Sequence, residues 1–468
     1  MNDEKRARRL VRALGRLPQR TPPALIALVA GVVTLSLSFW LANIKGMNGF
    51  DASLQAIGRL TTLLLAYVCF GLALARETPA LVRRVAPLLF WPLLLWALWT
   101  APQGLLVMAR EWPRTLASPL LYGSDALFDA HYNAWLVLHE QNPYVGQRLT
   151  GLSGYFHVIA YTPIARGSFA SPRATPSAHA LHLIYNQFAR DPSHPPAEID
   201  PRVTHSYPAG SFLLVIPAVW AGLPSIAPTF VVALVTIWLA LVVAAPSAWR
   251  WLAILAPLLM VSGLRQVGGG DFEILPLALT LGAWLARDRR WLSAPLLGLA
   301  AATKQTAWLA APFYLLWIWR AYGPREALRR GAITAGVFTL VNLPWILLSP
   351  REWLASALLP VSLPLLPDGA GVIGLSAQGG LPFAPSWVYP LLEITALIAL
   401  LTLAWRLWKR APFLAMVLPL APVLLAWRSP ERYYDLLPLA ALAAFLLTLT
   451  ATRPRKSSFE GATSAGAS

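Results

Sequence analysis

Long apolar runs separated by short polar segments make up most of this chain. A helix needs about 20 apolar residues to cross a bilayer, and somewhat fewer when it is buried inside a bundle. Runs of suitable length predict twelve membrane spans, at residues 24–43, 57–75, 86–108, 226–245, 251–264, 273–286, 291–303, 307–319, 332–348, 387–405, 411–427 and 436–451. The predicted fold class is therefore all-α, a polytopic transmembrane helical bundle without a soluble domain.

Two stretches decide the number of spans. Residues 207–223 are apolar enough to span, but a span there would place the basic segments 287–290 and 320–330 on the outer side. We therefore predict a juxtamembrane or re-entrant helix for 207–223. Residues 291–319 are predicted as two short arms that meet at Lys304, because one continuous helix would bury that lysine in mid-membrane at a cost of about 3 kcal/mol.

Composition and charge agree with a membrane location. The 468 residues are 57% hydrophobic and 13% charged, which is more apolar surface than one soluble core can hide. The net charge is +17, but the Lys and Arg residues form short clusters between the apolar runs, which is typical of cytoplasmic loops rather than of a nucleic-acid-binding surface. We expect a multi-pass protein of the plasma (inner) membrane with both termini cytoplasmic and no nucleic-acid partner.

The predicted organisation has four parts along the chain. Residues 1–22 form a basic cytoplasmic N-terminus, and residues 23–85 form an additional N-terminal transmembrane hairpin. The main transmembrane domain covers 86–451 and includes an outer loop at 109–208, and a disordered cytoplasmic tail follows at 452–468. The first apolar run is too long for a signal-peptide core, so we interpret it as a retained span.

A polar island interrupts the apolar pattern at residues 121–146. Asp125 and Asp129 are four residues apart, so a helix would place both carboxylates on one face, with Tyr132 close to it. Transfer of a sugar to a hydroxyl requires a carboxylate base beside the reacting groups. The alternative is a solvated helix start that Ser124 or Asp125 caps.

Three motifs of this chain resemble those of the GT-C class of membrane glycosyltransferases. In that class the first outer loop carries an Asp, an aromatic-rich short helix and a turn similar to Asn142-Pro143-Tyr144. Tyr207-Pro208-Ala209 resembles the Tyr-Pro-Pro motif that opens an outer juxtamembrane helix, and Arg265-Gln266 with Gly268-Gly269-Gly270-Asp271 resembles a polar outer turn written G-Q-x-D. The resemblance extends from about residue 86 to 451.

The resemblance implies a mannosyltransferase-like activity with a polyprenyl-phosphate-linked sugar as donor. The acceptor would be a hydroxyl of a glycolipid, a glycan or a protein, on the non-cytoplasmic face. Asp125 would be the general base, and Asp129 would orient the acceptor or raise the pKa of Asp125 as a like charge. The predicted substrate-binding residues are Tyr132, Trp135, Asn142, Tyr144, Tyr207, Gln266 and Asp271.

Four basic residues fall on the predicted outer side, where positive charge is disfavoured. They are Lys304, Arg265, Arg428 and Arg432. A lipid phosphate at the interface needs such cations, and the spacing of Arg428 and Arg432 predicts that they share one helical face. Each of them alone is otherwise explained as an interfacial anchor.

No cofactor is firmly predicted from the sequence, and a divalent metal bound by histidines is the less favoured alternative. The seven histidines include His179-x-x-His182, but no histidine and acidic residues occur at a firm ligand spacing, so loop histidines in solvent are the commoner explanation and no metal ligand is assigned. Most of the 21 tryptophans lie near predicted span ends, as in an interfacial aromatic belt. No Walker loop or dinucleotide fingerprint is present, which disfavours ATP-driven transport.

Two other classes of protein compete with an enzyme. A flippase for lipid-linked sugars or a secondary transporter also needs many helices and polar groups, but it predicts polar residues at the bilayer midplane and internal repeats. The sequence has no evident repeat, and its polar groups gather at one face. A non-catalytic scaffold would give the Asp125 segment no chemical role.

Overall fold

The computed structural model describes residues 19, 21–42, 50–117, 122, 125–145, 164–171, 173, 175–190, 196–200, 205–269, 271–359 and 365–451. Most of the predicted N-terminal segment 1–22 and all of the predicted tail 452–468 lie outside these residues. The first helices are α1 (Pro23–Ala42), α2 (Phe50–Ala73), α3 (Ala80–Leu106), α4 (Trp112–Ala117), α5 (Asp125–Leu138), α6 (Ala178–Arg190), α7 (Gly210–Leu213), α8 (Ile216–Trp220), α9 (Ala227–Ala244) and α10 (Arg250–Leu255).

The second half of the chain is also helical. Its helices are α11 (Val261–Gly269), α12 (Ile274–Leu285), α13 (Arg290–Thr303), α14 (Thr306–Tyr322), α15 (Pro324–Leu348), α16 (Pro350–Ala357), α17 (Val372–Ala377), α18 (Val388–Arg406) and α19 (Leu437–Ala451). Four two-residue strands occur, β1 (Ile164–Ala165), β2 (Ile199–Asp200), β3 (Asp368–Gly369) and β4 (Arg428–Ser429).

Seven helical stretches of the described chain are long and apolar enough to cross a membrane. They are Pro23–Ala42, Ala52–Ala73, Ala80–Arg114, Ala227–Ala244, Pro324–Leu348, Val388–Arg406 and Glu431–Ala451. Each coincides with one of the twelve predicted runs. The chain is therefore an all-α membrane protein.

Two predicted spans are wrong as single helices, and both contain proline. The run at 251–264 breaks at Met260, where its two halves are bent by 71° after a 3₁₀ turn that contains Pro257. The run at 411–427 forms three 3₁₀ turns, Leu414–Met416, Leu418–Leu420 and Pro422–Leu425, instead of an α-helix. Proline has no backbone N–H to continue an α-helix. Most side chains of this run are buried, which is where irregular backbone is tolerated at membrane depth.

Three further predicted spans, at 273–286, 291–303 and 307–319, are helices that are short for a bilayer. α12, α13 and α14 have 12, 14 and 17 residues. At about 1.5 Å per residue they measure roughly 18–26 Å, less than the ~30 Å hydrocarbon core. The helix at the predicted span 86–108 is instead longer than predicted, because α3 continues through a π-helical turn at Val107–Glu111 into α4.

The two-arm arrangement of 291–319 is confirmed. Near the start of α15, Arg330 Nη1 donates to Ser293 Oγ at the start of α13 (3.1 Å) and to Tyr314 OH in the middle of α14 (3.2 Å). Arg290 Nη1 also lies 3.2 Å from Glu326 Oε2. α13 and α14 therefore run antiparallel, the two basic segments meet at one end, and Lys304 lies at the other end. Residues 207–223 form the short helices α7 and α8 rather than a span, which also agrees with the prediction.

The short strands connect the predicted outer loop to the rest of the bundle. β1 pairs with β2 in antiparallel orientation, and Ile164 also bridges to Leu365. β3 pairs with β4 in parallel orientation, with Asp368 opposite Arg428. Gly369 makes this approach possible, because its φ is +129° and a Cβ there would lie 2.1 Å from the carbonyl oxygen of Ser429.

Candidate active site

Charged and tyrosyl side chains from distant parts of the chain converge at the Lys304 end of the α13–α14 hairpin. We call the following six residues the polar cluster: Asp125, Tyr207, Glu273, Lys304, Arg428 and Tyr433. The Asp125 carboxylate acts electrostatically on Tyr207, Arg428 and Tyr433, and Lys304 and Glu273 act on both tyrosines. Four of the six were predicted as site residues from the sequence, and the structure brings these four together.

Lys304 is held tightly in the polar cluster. It is extended (φ −157°, ψ 150°), which ends α13, and its side chain is 6% exposed. Nζ forms an ion pair with Glu273 and lies 5.0 Å from the Tyr207 ring centroid, 5.5 Å from Phe272 and 5.2 Å from Tyr433. Burial by itself lowers the pKa of Lys304, but Glu273 and the tyrosines outweigh burial and the pKa is raised. Lys304 therefore stays charged at physiological pH.

Asp125 stands where α5 begins. Its Oδ1 accepts a hydrogen bond from the backbone N–H of Ala126 (2.8 Å), so the carboxylate meets the positive end of the helix. Asp125 is partly exposed, whereas Asp129 one turn later is 5% exposed. The helix and the shared face are as predicted, but only one of the two carboxylates is open to a ligand.

Asp129 belongs to a closed hydrogen-bond network. Its Oδ1 accepts from Asn133 Nδ2 (2.9 Å), and its Oδ2 lies 2.5 Å from His205 Nδ1. His205 Nε2 in turn lies 3.2 Å from Ser211 Oγ. The order Asp, His, Ser is that of a hydrolytic triad, but Ser211 is 0% exposed and His205 is 1% exposed, so no substrate reaches them. The network joins α5 to the segment that leads into α7.

The expectation that the histidines of the outer loop lie in solvent is wrong for two of them, His205 and His131. His205 is buried as described, and His131 is partly buried with its Nδ1 2.5 Å from Tyr122 OH. Burial lowers the pKa of His131 to about 4, so this ring is neutral at pH 7. Both rings are part of the packing rather than free loop groups.

The predicted Asn142-Pro143-Tyr144 turn is confirmed and has structural partners. Asn142 Oδ1 accepts the backbone N–H of Tyr144 (3.0 Å), and Asn142 Nδ2 donates to Ser349 Oγ (2.9 Å). Tyr144 OH donates to the backbone carbonyl of Tyr207 (3.1 Å) and is 5% exposed as a residue. The polar groups of this turn therefore fix the position of Tyr207.

Tyr132 and Trp135 form an aromatic stack on α5. Their ring centroids are 5.9 Å apart with an interplanar angle of 12°, and Trp135 packs on His139 at 4.0 Å. Both predicted residues remain partly exposed. An exposed stack of this kind suits the apolar face of a sugar ring, and that role stays a prediction.

The shared helical face predicted for Arg428 and Arg432 is wrong. Arg428 lies in β4 and Arg432 lies in a 3₁₀ turn at Glu431–Tyr433, with Pro430 between them. Arg428 Nη1 donates to the carbonyl oxygen of Leu366 (2.6 Å). Arg432 acts electrostatically on Asp435. Only Arg428 of this pair is part of the polar cluster.

The prediction of a polar turn at 265–271 is wrong for most of its length, because Arg265 to Gly269 belong to the helix α11. The polar residues of this segment lie in two different environments. Arg265 is 61% exposed and binds both carboxylate oxygens of Glu111, with Nε 3.0 Å from Oε2 and Nη2 3.2 Å from Oε1. Gln266 follows it in α11 and is partly exposed. Asp271 is 3% exposed, and its buried Oδ2 has no hydrogen-bond partner among the residues that the structure describes. Burial and then Glu273 raise the pKa of Asp271 to about 7.

An apolar cleft opens from the polar cluster into the helices. It contains about 640 Å³ of space between atoms, part of which is open to solvent. Glu273, Thr306 and Tyr433 line its polar end, and the remaining lining residues are Pro276, Leu277, Thr280, Leu281, Trp284, Ala307, Ala310, Met416, Val417, Pro419, Leu420, Leu436, Leu437 and Ala440. From Glu273 to Trp284 the cleft follows one face of α12 for about 16 Å at 1.5 Å per residue.

No family model, curated protein or solved structure matches this chain. Within the described ranges, no group of three or more His, Cys, Asp or Glu side chains is placed to hold a metal ion. The evidence for function therefore comes from the geometry of the polar cluster and of the cleft.

The sequence prediction missed Glu273, Tyr433, His205 and Ser211. A signal for Glu273 was present, because it is an acid at the first position of a predicted span, where an ionisable residue is costly and needs a partner. Tyr433 follows the predicted Arg432 directly. Two partners of His205, Asn133 and Asp129, are 72 and 76 residues away along the chain, and no local pattern marks such contacts.

Proposed function

We propose that this protein is a membrane glycosyltransferase of the GT-C type that moves a sugar from a polyprenyl-phosphate donor to an acceptor hydroxyl. The observation that carries the proposal is an apolar cleft whose polar end is lined by Glu273 and Tyr433. Lys304 forms an ion pair with this Glu273, and Asp125 and Arg428 act electrostatically on this Tyr433. A lipid with a charged head has this same division between an apolar chain and a polar end. The cleft would hold the first part of the polyprenyl chain, and the polar cluster would hold the head.

Each chemical step has a group in the polar cluster. Asp125 takes the proton of the acceptor hydroxyl as the hydroxyl oxygen bonds to the anomeric carbon. The bond from that carbon to the phosphate oxygen breaks, and its electron pair leaves with the lipid phosphate, whose charge Arg428 stabilises. A single displacement inverts the anomeric configuration. The mobile proton ends on Asp125 and then passes to water.

A transfer assay on the purified protein tests this function. We expect the protein in detergent, given polyprenyl-phosphate sugars and extracts of cell-envelope glycolipids, to release polyprenyl phosphate and to form a product of inverted anomeric configuration. A panel of donors that includes mannosyl, glucosyl and arabinosyl forms would identify the sugar. Binding of such donors without any transfer, together with their movement across a vesicle membrane, would instead establish the flippase or transporter.

Filling the cleft is expected to raise the KM for donors with a long lipid chain more than the KM for donors with a short one. Ala310 lines the cleft and is 9% exposed, so Ala310→Trp places an indole where the lipid chain would lie. We expect the KM for a long polyprenyl donor to rise about tenfold or more, and the KM for a donor with one isoprene unit to change little. Ala335→Trp, on the exposed face of α15, is the matched control. Equal loss with both donors would show that Ala310→Trp damages the fold.

We propose that the polar cluster faces the non-cytoplasmic side, as the positive-inside rule predicts. With Cys69 replaced by serine, a cysteine at Leu381, which is 46% exposed, should react with an impermeant thiol reagent added to intact cells. A cysteine at the exposed Arg325, in the basic end of the α13–α15 region, should react only after the cells are opened. The reverse labelling pattern would contradict the orientation.

A further inference from the structure

The N-terminal hairpin reaches the neighbourhood of the polar cluster through Arg59 of α2. Arg59 forms an ion pair with Glu431, two residues before Tyr433, and its side chain is 13% exposed. The Arg59 Nε atom is buried and has no hydrogen-bond partner among the described residues. A buried donor without a partner is uncommon in native proteins and commonly marks a place for a ligand or water.

Asp368 is within electrostatic reach of both Arg59 and Arg428. It acts on both guanidinium groups. The parallel pairing of β3 and β4 sets Asp368 opposite Arg428, yet Arg428 Nη2 is 3.7 Å from Asp368 Oδ2, which is longer than a hydrogen bond. The Asp368 side chain is 52% exposed. An ion pair this long and this exposed is weak, so little holds the carboxylate in place.

Lys304, the other cation of the polar cluster, is held more firmly by its carboxylate partner. Glu273, the partner of Lys304, is 9% exposed at its side chain and also accepts a hydrogen bond from Thr306 Oγ1 at 3.1 Å. Opening the pair of Lys304 and Glu273 would leave a buried charge without a partner, which is strongly destabilising. An incoming anion therefore displaces Asp368 far more easily than Glu273.

We propose that Arg59 and Arg428 form a two-arginine site for the phosphate of the lipid donor, in which Asp368 occupies the phosphate position until the lipid binds. Arginine binds phosphate oxygens in a bidentate manner, and the buried Arg59 Nε–H would gain its missing acceptor. Tyr433 connects this site to the cleft, since it lines the cleft and lies within electrostatic reach of Arg428. The hairpin is then part of the donor site rather than an addition to it.

This inference rests on the proposed function for the nature of the ligand, but its test needs no sugar transfer. The probe is a polyprenyl phosphate without a sugar, and its Kd is measured for the full-length protein in a detergent that contains no phosphate. We expect Asp368→Asn to bind the probe about tenfold more tightly, because the competing charge is gone, and Arg59→Gln and Arg428→Gln to bind it about tenfold or more weakly, the size of a charge-assisted hydrogen bond.

Controls separate binding from folding and from general charge effects. Glu111→Gln removes another partly exposed carboxylate that faces an arginine and should leave the Kd unchanged. Arg59→Gln leaves Glu431 without its partner, so Arg59→Gln/Glu431→Gln is measured as well, with thermal unfolding of every variant. The double variant should unfold near the wild-type temperature and still bind the probe weakly.

Several outcomes overturn the proposal. Unchanged or weaker binding by Asp368→Asn would show that Asp368 is not a competitor, and a folded double variant with wild-type affinity would remove Arg59 from the site. If inorganic phosphate competes with the probe at equal concentration, the ligand is free phosphate and the assignment to the lipid is wrong. If all variants behave as expected but no donor supports transfer, this site stands and the proposed glycosyltransferase function fails.

Discussion

Asp125→Asn is expected to fold, to bind the donor and to lose roughly 100-fold or more in the rate of sugar transfer. Asparagine keeps the size of the side chain and an oxygen that can still accept the N–H of Ala126, but its amide cannot take a proton. Because Asp125 is partly exposed and acts on Tyr207 and Arg428, its loss changes the chemistry without opening the core. The measurement is kcat for transfer beside the Kd for the donor, on the same preparation.

Asp129→Asn is the matched control on the same helix. It disturbs the contact with His205 and should lower the free energy of unfolding by about 1–3 kcal/mol, the cost of an unsatisfied buried group, while the folded fraction keeps its transfer rate. If Asp129→Asn abolished transfer in well-folded protein and Asp125→Asn did not, the roles of the two carboxylates would be reversed. Full activity in both variants would remove α5 from the chemistry, and Asp271 would then be the carboxylate to test.

Lys304→Gln is expected to lower the free energy of unfolding by about 3–5 kcal/mol, because Glu273 would remain buried without its cation. The three aromatic rings around Nζ would lose their cation as well, each worth about 0.5–2 kcal/mol. Unfolding by a denaturing detergent, followed by tryptophan fluorescence, measures the change.

Lys304→Met/Glu273→Gln removes both charges and should recover most of that stability, since neutral groups cost less to bury than an unpaired charge. The sequence alone assigns Lys304 to the donor phosphate, whereas in the structure Lys304 already forms an ion pair with Glu273. Wild-type stability of Lys304→Gln combined with weak donor binding would favour the phosphate role over the structural one.

The helices that face lipid were the most predictable part of this chain. In α3, α15 and α18 only 11% of the most apolar window is buried, so hydropathy alone determines these spans. The run at 411–427 has the same composition but is buried inside protein, where packing holds a non-helical backbone that hydropathy cannot distinguish from a span.

The grouping of candidate site residues could be predicted where a residue type was out of place in its segment. Asp125, Lys304 and Arg428 stood out as charges beside apolar runs, and the structure brings them together. Asp129 has the same local signal as Asp125, yet its contact with His205 turns it into a core residue. The ion pair between Arg59 and Glu431 joins residues 372 positions apart, which spacing along the chain does not indicate.

The 3₁₀ turns at 414–425 also form part of the cleft wall, through Met416, Val417, Pro419 and Leu420. An α-helical wall is one continuous ladder of hydrogen bonds, so moving one of its turns strains the turns on either side. Three separate 3₁₀ turns, with Pro419 and Pro422 interrupting the ladder, can shift one at a time. If the cleft holds the lipid chain of the proposed donor, we expect substitutions in single turns to change which lipid chain fits without disturbing the polar cluster.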